Sequence, residues 1–393
     1  MVFRSQGKVA MKIRFQKSRF LDKLTPAMGT VSNKNTIASI EGVLIETVEN
    51  RDIKLSTYDM KKGMVSLLEA DSVEEGGSFI INAARLLQIL RVMPGEDITL
   101  EVDEKFNAVI KSGKSEFSLF ALRGSDFPNI PLLNSEKGFE IASDVLKEMI
   151  GKVLHSVAEQ DSRPVLCGAY FRLHDGIFDI VSCDSFTLSV CAKKCEIKDI
   201  GAIESEEFDF IVPGHALNEL MRILPDGEEK INVYITRKHA IFRMDEMTFF
   251  TRLIDEDYID YSRIIPKEQT IFVTVDREKM LEGLERANLV AEEKGQGNSR
   301  SYVKIILDGE ILTLTSTSVS GKVYDELECS HTGDNIEIGF NCRYLINSIR
   351  AAEGEKILIT MKSARQSITI EPLEKKEEEN FFYMVLPVRM AES

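Results

Sequence analysis

A domain-sized repeat constrains this chain more than any other feature. The block FIINAARLLQILRVMPGEDITLEV from Phe79 returns as FIVPGHALNELMRILPDGEEKINVYI from Phe210 and as GFNCRYLINSIRAAEGEKILITM from Gly339. Aligning Asn82, Pro213 and Asn341 gives offsets of 131 and 128 residues, so each copy is long enough to fold around its own core. In every copy an apolar stripe keeps the same spacing: Leu86, Leu90, Met93; Leu217, Met221, Leu224; Leu345, Ile349, Ala352. Steps of four and three mark one face of a helix. A glycine-bearing turn follows at Gly95, Gly227 and Gly354, and then alternating apolar residues such as Ile98, Leu100, Val102 and Ile231, Val233, Ile235. The order is helix, turn, strand.

The first half of each copy agrees. A helical stretch starts near Ser18, Ser143 and Asp276, and strand pairs follow, such as VLCGAYFRLHDGIFDIVSCD and YVKIILDGEILTLTSTS, in which Asp-Gly turns signal hairpins. Each repeat is predicted to be α+β, with two helices and about eight antiparallel strands. The closing segments DFPNIP, YSRIIP and YMVLPVRM set expected limits of 11–136, 137–267 and 268–393, with 1–10 as an N-terminal extension.

Composition removes whole classes. With 43% hydrophobic and 29% charged residues in 393, the chain is expected to fold throughout. It has neither the run of roughly 18 apolar residues of a membrane span nor the apolar start of a secretory signal, so a cytoplasmic protein without membrane contact is expected. Six cysteines (Cys167, Cys183, Cys191, Cys195, Cys329, Cys342) contain no CxxC pair, which argues against a disulfide framework or a zinc site.

Charge is sorted by element. Arg91, Arg222 and Arg350 each lie five residues beyond the first stripe leucine, about 140° round the helix and away from the core. A second basic set, Lys34, Arg163 and Arg300, stands just before a strand in each repeat. The six helical stretches together carry a net +5, although the whole chain is at −15. A mildly basic helical surface on an acidic protein suits sequence-independent contacts to DNA phosphates.

Catalytic patterns are missing from the sequence. No GxxxxGK[ST] loop occurs, the five histidines (His155, His174, His215, His239, His331) lack metal spacing, and no nucleophile stands with its base. Asp255, Glu256, Asp257 and Asp260 read as an exposed acidic turn, and Cys191 and Cys195 as small core residues beside a Lys-Lys pair. Neither a cofactor nor a metal is expected.

The triplication, together with FNCRYLINSI at Phe340, SCDSFTLSV at Ser182, DYSRIIP at Asp260, DFPNIP at Asp126 and the tail YMVLPVRM, resembles the bacterial DNA polymerase III beta subunit, the sliding-clamp family, from about Met11 to Met390. The resemblance implies a head-to-tail homodimeric ring with helices lining the hole, closed by Phe117 and Leu119 of the first domain against Leu289 and Val290 of the third. Double-stranded DNA would pass through it without sequence preference. It further implies that the polymerase alpha subunit, the clamp loader and repair polymerases bind by short peptides in a groove between the second and third domains. That groove would use Leu166, Cys183, Ser185, Leu188, Ile259, Ile264, Asn341, Tyr344, Leu386, Pro387, Val388 and Arg389. The chain departs from the family pattern at Cys183, where threonine is usual, at Thr187, where a basic residue is usual, and at Lys34, where arginine is expected. The alternative is an acidic multidomain enzyme or small-molecule-binding protein, which would need a polar site in one repeat that the other two lack.

Overall fold

The computed structural model describes residues 8–32, 37–49, 52–131, 133, 135, 137–201, 208–291, 302–319, 321–376 and 378–390. Among them are six α-helices: α1 Lys17–Ala27, α2 Ala83–Val92, α3 Ser143–Val153, α4 Gly214–Ile223, α5 Arg277–Ala291 and α6 Cys342–Ala351. Two belong to each repeat, as the apolar stripes predict. Leu86, Leu90, Met93, Leu217, Leu224, Leu345, Ile349 and Ala352 are buried, and Met221 is half-buried. Asn82 and Asn341 begin α2 and α6 by accepting a backbone N–H, from Arg85 and Arg343 respectively, each at 3.0 Å. The turns after α4 and α6 hold Gly227 and Gly354 at φ of 97° and 85°, which closes the helix without the steric cost that a Cβ would bring.

The described strands number ten, nine and eight in the successive repeats, slightly more than expected in the first two. All their pairings are antiparallel. The Asp-Gly hairpin forms as the sequence signals: Asp175 and Gly176, at φ 49° and 76°, join Gly168–His174 to Ile177–Cys183.

The chain divides into two compact units that do not follow the repeats. One comprises residues 1–144, 198–204 and 218–253; the other comprises 145–197, 205–217 and 254–393. In the first, Lys62–Glu69 pairs with Met247–Arg252, joining strands of the first and second repeats in one ten-stranded sheet. Its main core holds Phe15, Phe20, Leu24, Leu86 and Leu90, with the rings of Phe15 and Phe20 stacked at 4.4 Å. In the second, Thr187–Lys194 pairs with Glu379–Val385, joining the second and third repeats in a twelve-stranded sheet. No helix among the described residues is long and apolar enough to cross a membrane.

Candidate functional site

The groove residues expected from the sequence all lie in the second unit. The turn between Ile177–Cys183 and Thr187–Lys194 organises them. The Asp184 carboxylate accepts the backbone N–H groups of Phe186 at 2.9 Å and Thr187 at 2.6 Å, while Ser185 sits at φ 77°. Such an aspartate turn mimics a backbone turn. Its effect is to leave Phe186 53% exposed, where its ring stacks on Tyr344 of α6. The chain's tail is tied to the same place: Leu386 donates its N–H to the Phe186 carbonyl and Val388 donates to the Gly339 carbonyl, both at 2.8 Å. A Cβ on Gly339 would lie 2.8 Å from Met390 Cγ, so the tail rests directly on glycine backbone.

Next to this turn, through the flanking Cys183 and Leu188, lies an apolar floor. Leu166, Cys183 and Leu188 are fully or nearly fully buried in a cluster with Val165, Val181, Val190, Ile211 and Met384. Ile259 packs on it half-buried, whereas Ile264 and Leu386 are 42% and 37% exposed. The residues grouped as one surface in the sequence therefore split into floor and rim. Pro387 and Val388 are half-buried and Arg389 is exposed. The side chain of Asn341 is engaged in capping α6. Sequence reasoning missed Phe186, although it stands inside the quoted SCDSFTLSV segment; an aromatic residue in a polar turn was the available signal.

The six basic residues differ in their surroundings. Lys34 and Arg300 lie outside the described residues. Arg91 is exposed on α2, with no ion partner among the described residues. Arg222 lies 3.1 Å from Glu219, and Arg350 lies 2.8 Å from Glu285 on α5. Arg163 is held by Asp161 at 3.0 Å and hydrogen-bonds the Ser185 hydroxyl, so a residue grouped with the DNA-facing set stands beside the groove turn. That guanidinium pulls the Asp161 carboxyl down to a pKa of about 2. Of the expected closure residues, Phe117 is 40% exposed and Leu289 78% exposed, with Leu119 and Val290 half-buried. Phe120, 83% exposed on the same strand as Phe117, was not anticipated.

The clustered carboxylates and the cysteines have structural explanations. Glu148, Glu353 and Glu379 bring carboxylate oxygens within 4.8 Å of one another, and Lys152, Lys193 and Lys376 neutralise them, with Lys152 Nζ 2.6 Å from Glu353. Lys152 also sits 3.6 Å from the centre of the Phe381 ring. Burial pushes the Cys191 and Cys183 thiols up and takes Cys195 to about 11, the reverse of an activated nucleophile. Asp255, Glu256, Asp257 and Asp260 are exposed, as expected of a solvated turn.

Family models of the DNA polymerase III beta subunit match almost the whole chain: the N-terminal domain over residues 11–131, the central domain over 140–260 and the C-terminal domain over 262–389. The chain belongs to the DNA polymerase III beta subunit family. Beta sliding clamps of Staphylococcus epidermidis and Bacillus subtilis are each 26% identical to it over 387 and 390 residues, covering 96% of this chain and 99% and 100% of theirs. The DNA polymerase III beta chain of Streptococcus pneumoniae superposes with a TM-score of 0.89 at 26% identity. A sliding-clamp structure from Bacillus subtilis shares the fold with the same TM-score at 24% identity; each covers 97% of this chain and 100% of the other.

The chain is thus a non-catalytic processivity factor made of three clamp domains, and the reading as an acidic enzyme is set aside. Its departures from the family pattern at the groove lie below the surface. Cys183 is part of the floor, and the Thr187 hydroxyl is 2.9 Å from both the Ser156 hydroxyl and the Asp184 carboxylate. The positive charge at this turn comes from Arg163 instead.

Proposed function

We propose that two copies of the chain close head to tail into a ring around duplex DNA in the cytoplasm, and that the rim of Phe186, Tyr344 and Leu386 captures short peptides of the polymerase alpha subunit, the clamp loader and repair polymerases. A chain of three similar domains (11–136, 137–267 and 268–393) has two different ends, and two copies joined head to tail leave neither unpaired. Phe117, Leu119, Leu289 and Val290 supply that joint. Lys34, Arg91, Arg163, Arg222, Arg300 and Arg350 contribute phosphate contacts without reading bases.

The observation that carries the client reading is the exposure of Phe186 and Leu386 at the turn whose flanking residues, Cys183 and Leu188, belong to the buried apolar cluster with Leu166. A peptide placing two leucine-sized side chains there gains roughly 3–6 kcal/mol before ordering costs, a substantial share of the roughly 8 kcal/mol that micromolar binding requires. Ser185, Ile259, Ile264, Asn341, Pro387, Val388 and Arg389 complete the surface, with Arg389 free to hold a peptide carbonyl. Retention of loaded protein on nicked circular DNA, with release on linearisation, tests the ring; equal retention on both forms rejects it.

A further inference from the structure

The floor of the groove does not end at Leu188. Cys183 pairs with Leu188, Leu188 with Met384, Met384 with Thr369, Thr369 with Thr360, and Thr360 with Phe272. Residues directly opposite one another in a sheet share a face, so one row of side chains carries the groove floor across to Phe272. There it enters an open hollow of about 300 Å³ lined by Pro266, Gln269, Phe272, Thr360, Thr369, Glu371 and Phe382. Phe382 also packs on the groove floor, and so does Ile265 at the edge of the hollow.

Gln269 is the unusual member. Its side-chain nitrogen and oxygen are both buried, and neither has a hydrogen-bond partner among the described residues. The two threonine hydroxyls bond each other at 2.7 Å, and neither is within hydrogen-bond reach of the amide. The preceding residue, Glu268, lies 3.3 Å from Lys362 and is held at φ 60°, a backbone conformation that is strained for a non-glycine residue. An amide deprived of both partners is costly to bury. The group that complements it is one that donates and accepts on one side, as the N–H and C=O of a single residue in an extended strand do. Phe272, 41% exposed, and Phe382 offer apolar surface next to it.

We propose that this hollow is a second foothold for the client: an extended stretch flanking the segment in the groove, with the N–H and C=O of one residue turned towards Gln269 and one apolar side chain against Phe272. The proposal rests on the groove reading above. Met384 and Phe272 are three strand spacings apart, about 14 Å, a span covered by four or five extended residues.

The test titrates the full-length protein, by fluorescence anisotropy, with labelled peptides of the last six and the last sixteen residues of the replicative polymerase. The longer peptide is expected to bind about tenfold more tightly, the equivalent of about 1.4 kcal/mol. Phe272→Asp and Gln269→Met should each remove most of that gain and leave the Kd of the shorter peptide within about twofold, where a merely structural role would move both peptides together or neither. Gln269→Met should keep or raise Tm, since it removes an unpaired buried amide. Equal affinity of the two peptides for the wild-type protein, or a full gain retained by Phe272→Asp, overturns the second foothold while the groove stands. Leu386→Asp should weaken both peptides; if the shorter one binds it unchanged, the groove reading fails and the foothold falls with it.

Discussion

The rings of Phe186 and Tyr344 stack with centroids 5.7 Å apart and planes 19° from parallel, binding a turn of the second repeat to the first turn of α6 in the third. Both rings belong to the second compact unit, so this stacking is internal to the body that carries the candidate groove. It places an exposed aromatic edge beside Leu386, whose N–H is bonded to the Phe186 carbonyl. Rim and floor therefore predict different consequences of mutation.

Phe186→Ala removes a ring that is half in water and one aromatic pair, which is worth about 0.5–1.5 kcal/mol beyond area. Client-peptide affinity should fall several-fold with little change in Tm. Leu166→Ala, at a site with no exposure, should instead cost about 2–5 kcal/mol of stability. Thermal melts run beside peptide titrations separate the two, and a Phe186→Ala variant with unaltered affinity removes the rim from the binding surface.

Deleting residues 386–393 should abolish binding of a polymerase-tail peptide. It also removes the backbone bonds from Leu386 to Phe186 and from Val388 to Gly339, each worth about 0.5–1.5 kcal/mol net. A small drop in Tm is expected, with an unchanged dimer mass by sedimentation. Intact peptide binding by the truncated protein places the pocket elsewhere.

Arg91 should matter more to DNA than Arg222 or Arg350. The latter two already face Glu219 and Glu285, so their charge is partly neutralised within the protein. Removing one phosphate-binding charge should lower the slope of log K against log salt by about 0.9. The variant Arg91→Ala is expected to show that change and the other two less of it; identical slopes for all three would contradict this ranking.

Charged substitutions at Leu289 and Val290 should split the dimer without unfolding the chain. Leu289 is 78% exposed, so its removal costs the isolated chain little. Phe120→Asp is expected to act in the same way from the other edge. Sedimentation that still reports a dimer for both variants would remove the assigned joint.

Stability should fall on mild acidification. Burial lowers the His155 pKa from 6.5 to about 4, so between these values the unfolded chain binds a proton that the folded one does not. Stability is then complete above about pH 6.5, declines as pH falls towards 4 and levels off below it. His155 as a whole is half-buried, and about 2 kcal/mol is the expected scale. His155 lies 3.2 Å from the Ser189 hydroxyl, which bonds Ser156 and, through it, Thr187 of the groove turn. Chemical denaturation at pH 7 and pH 4.5 should show the loss, and His155→Asn should flatten it.

The repeat, the six helices and the hairpin turns were legible in the sequence because each is a local property. A stripe such as Leu86, Leu90 and Met93 repeats within one helix, and Asp175-Gly176 closes a hairpin between neighbours. The alternation of floor and rim was not legible, since Leu166 and Leu386 are both simply apolar in the chain. Which of them is covered depends on strands of different repeats pairing, Thr187–Lys194 with Glu379–Val385. The same pairing made the compact units cut across the repeats. Charge obeyed the same division. The sequence determined that Arg91, Arg222 and Arg350 point outward, through the angle between successive residues on a helix. Only the tertiary structure decided that Glu285 would meet Arg350 and that Arg163 would reach Ser185, because meetings between residues distant in the chain depend on how elements pack, and no periodicity encodes that.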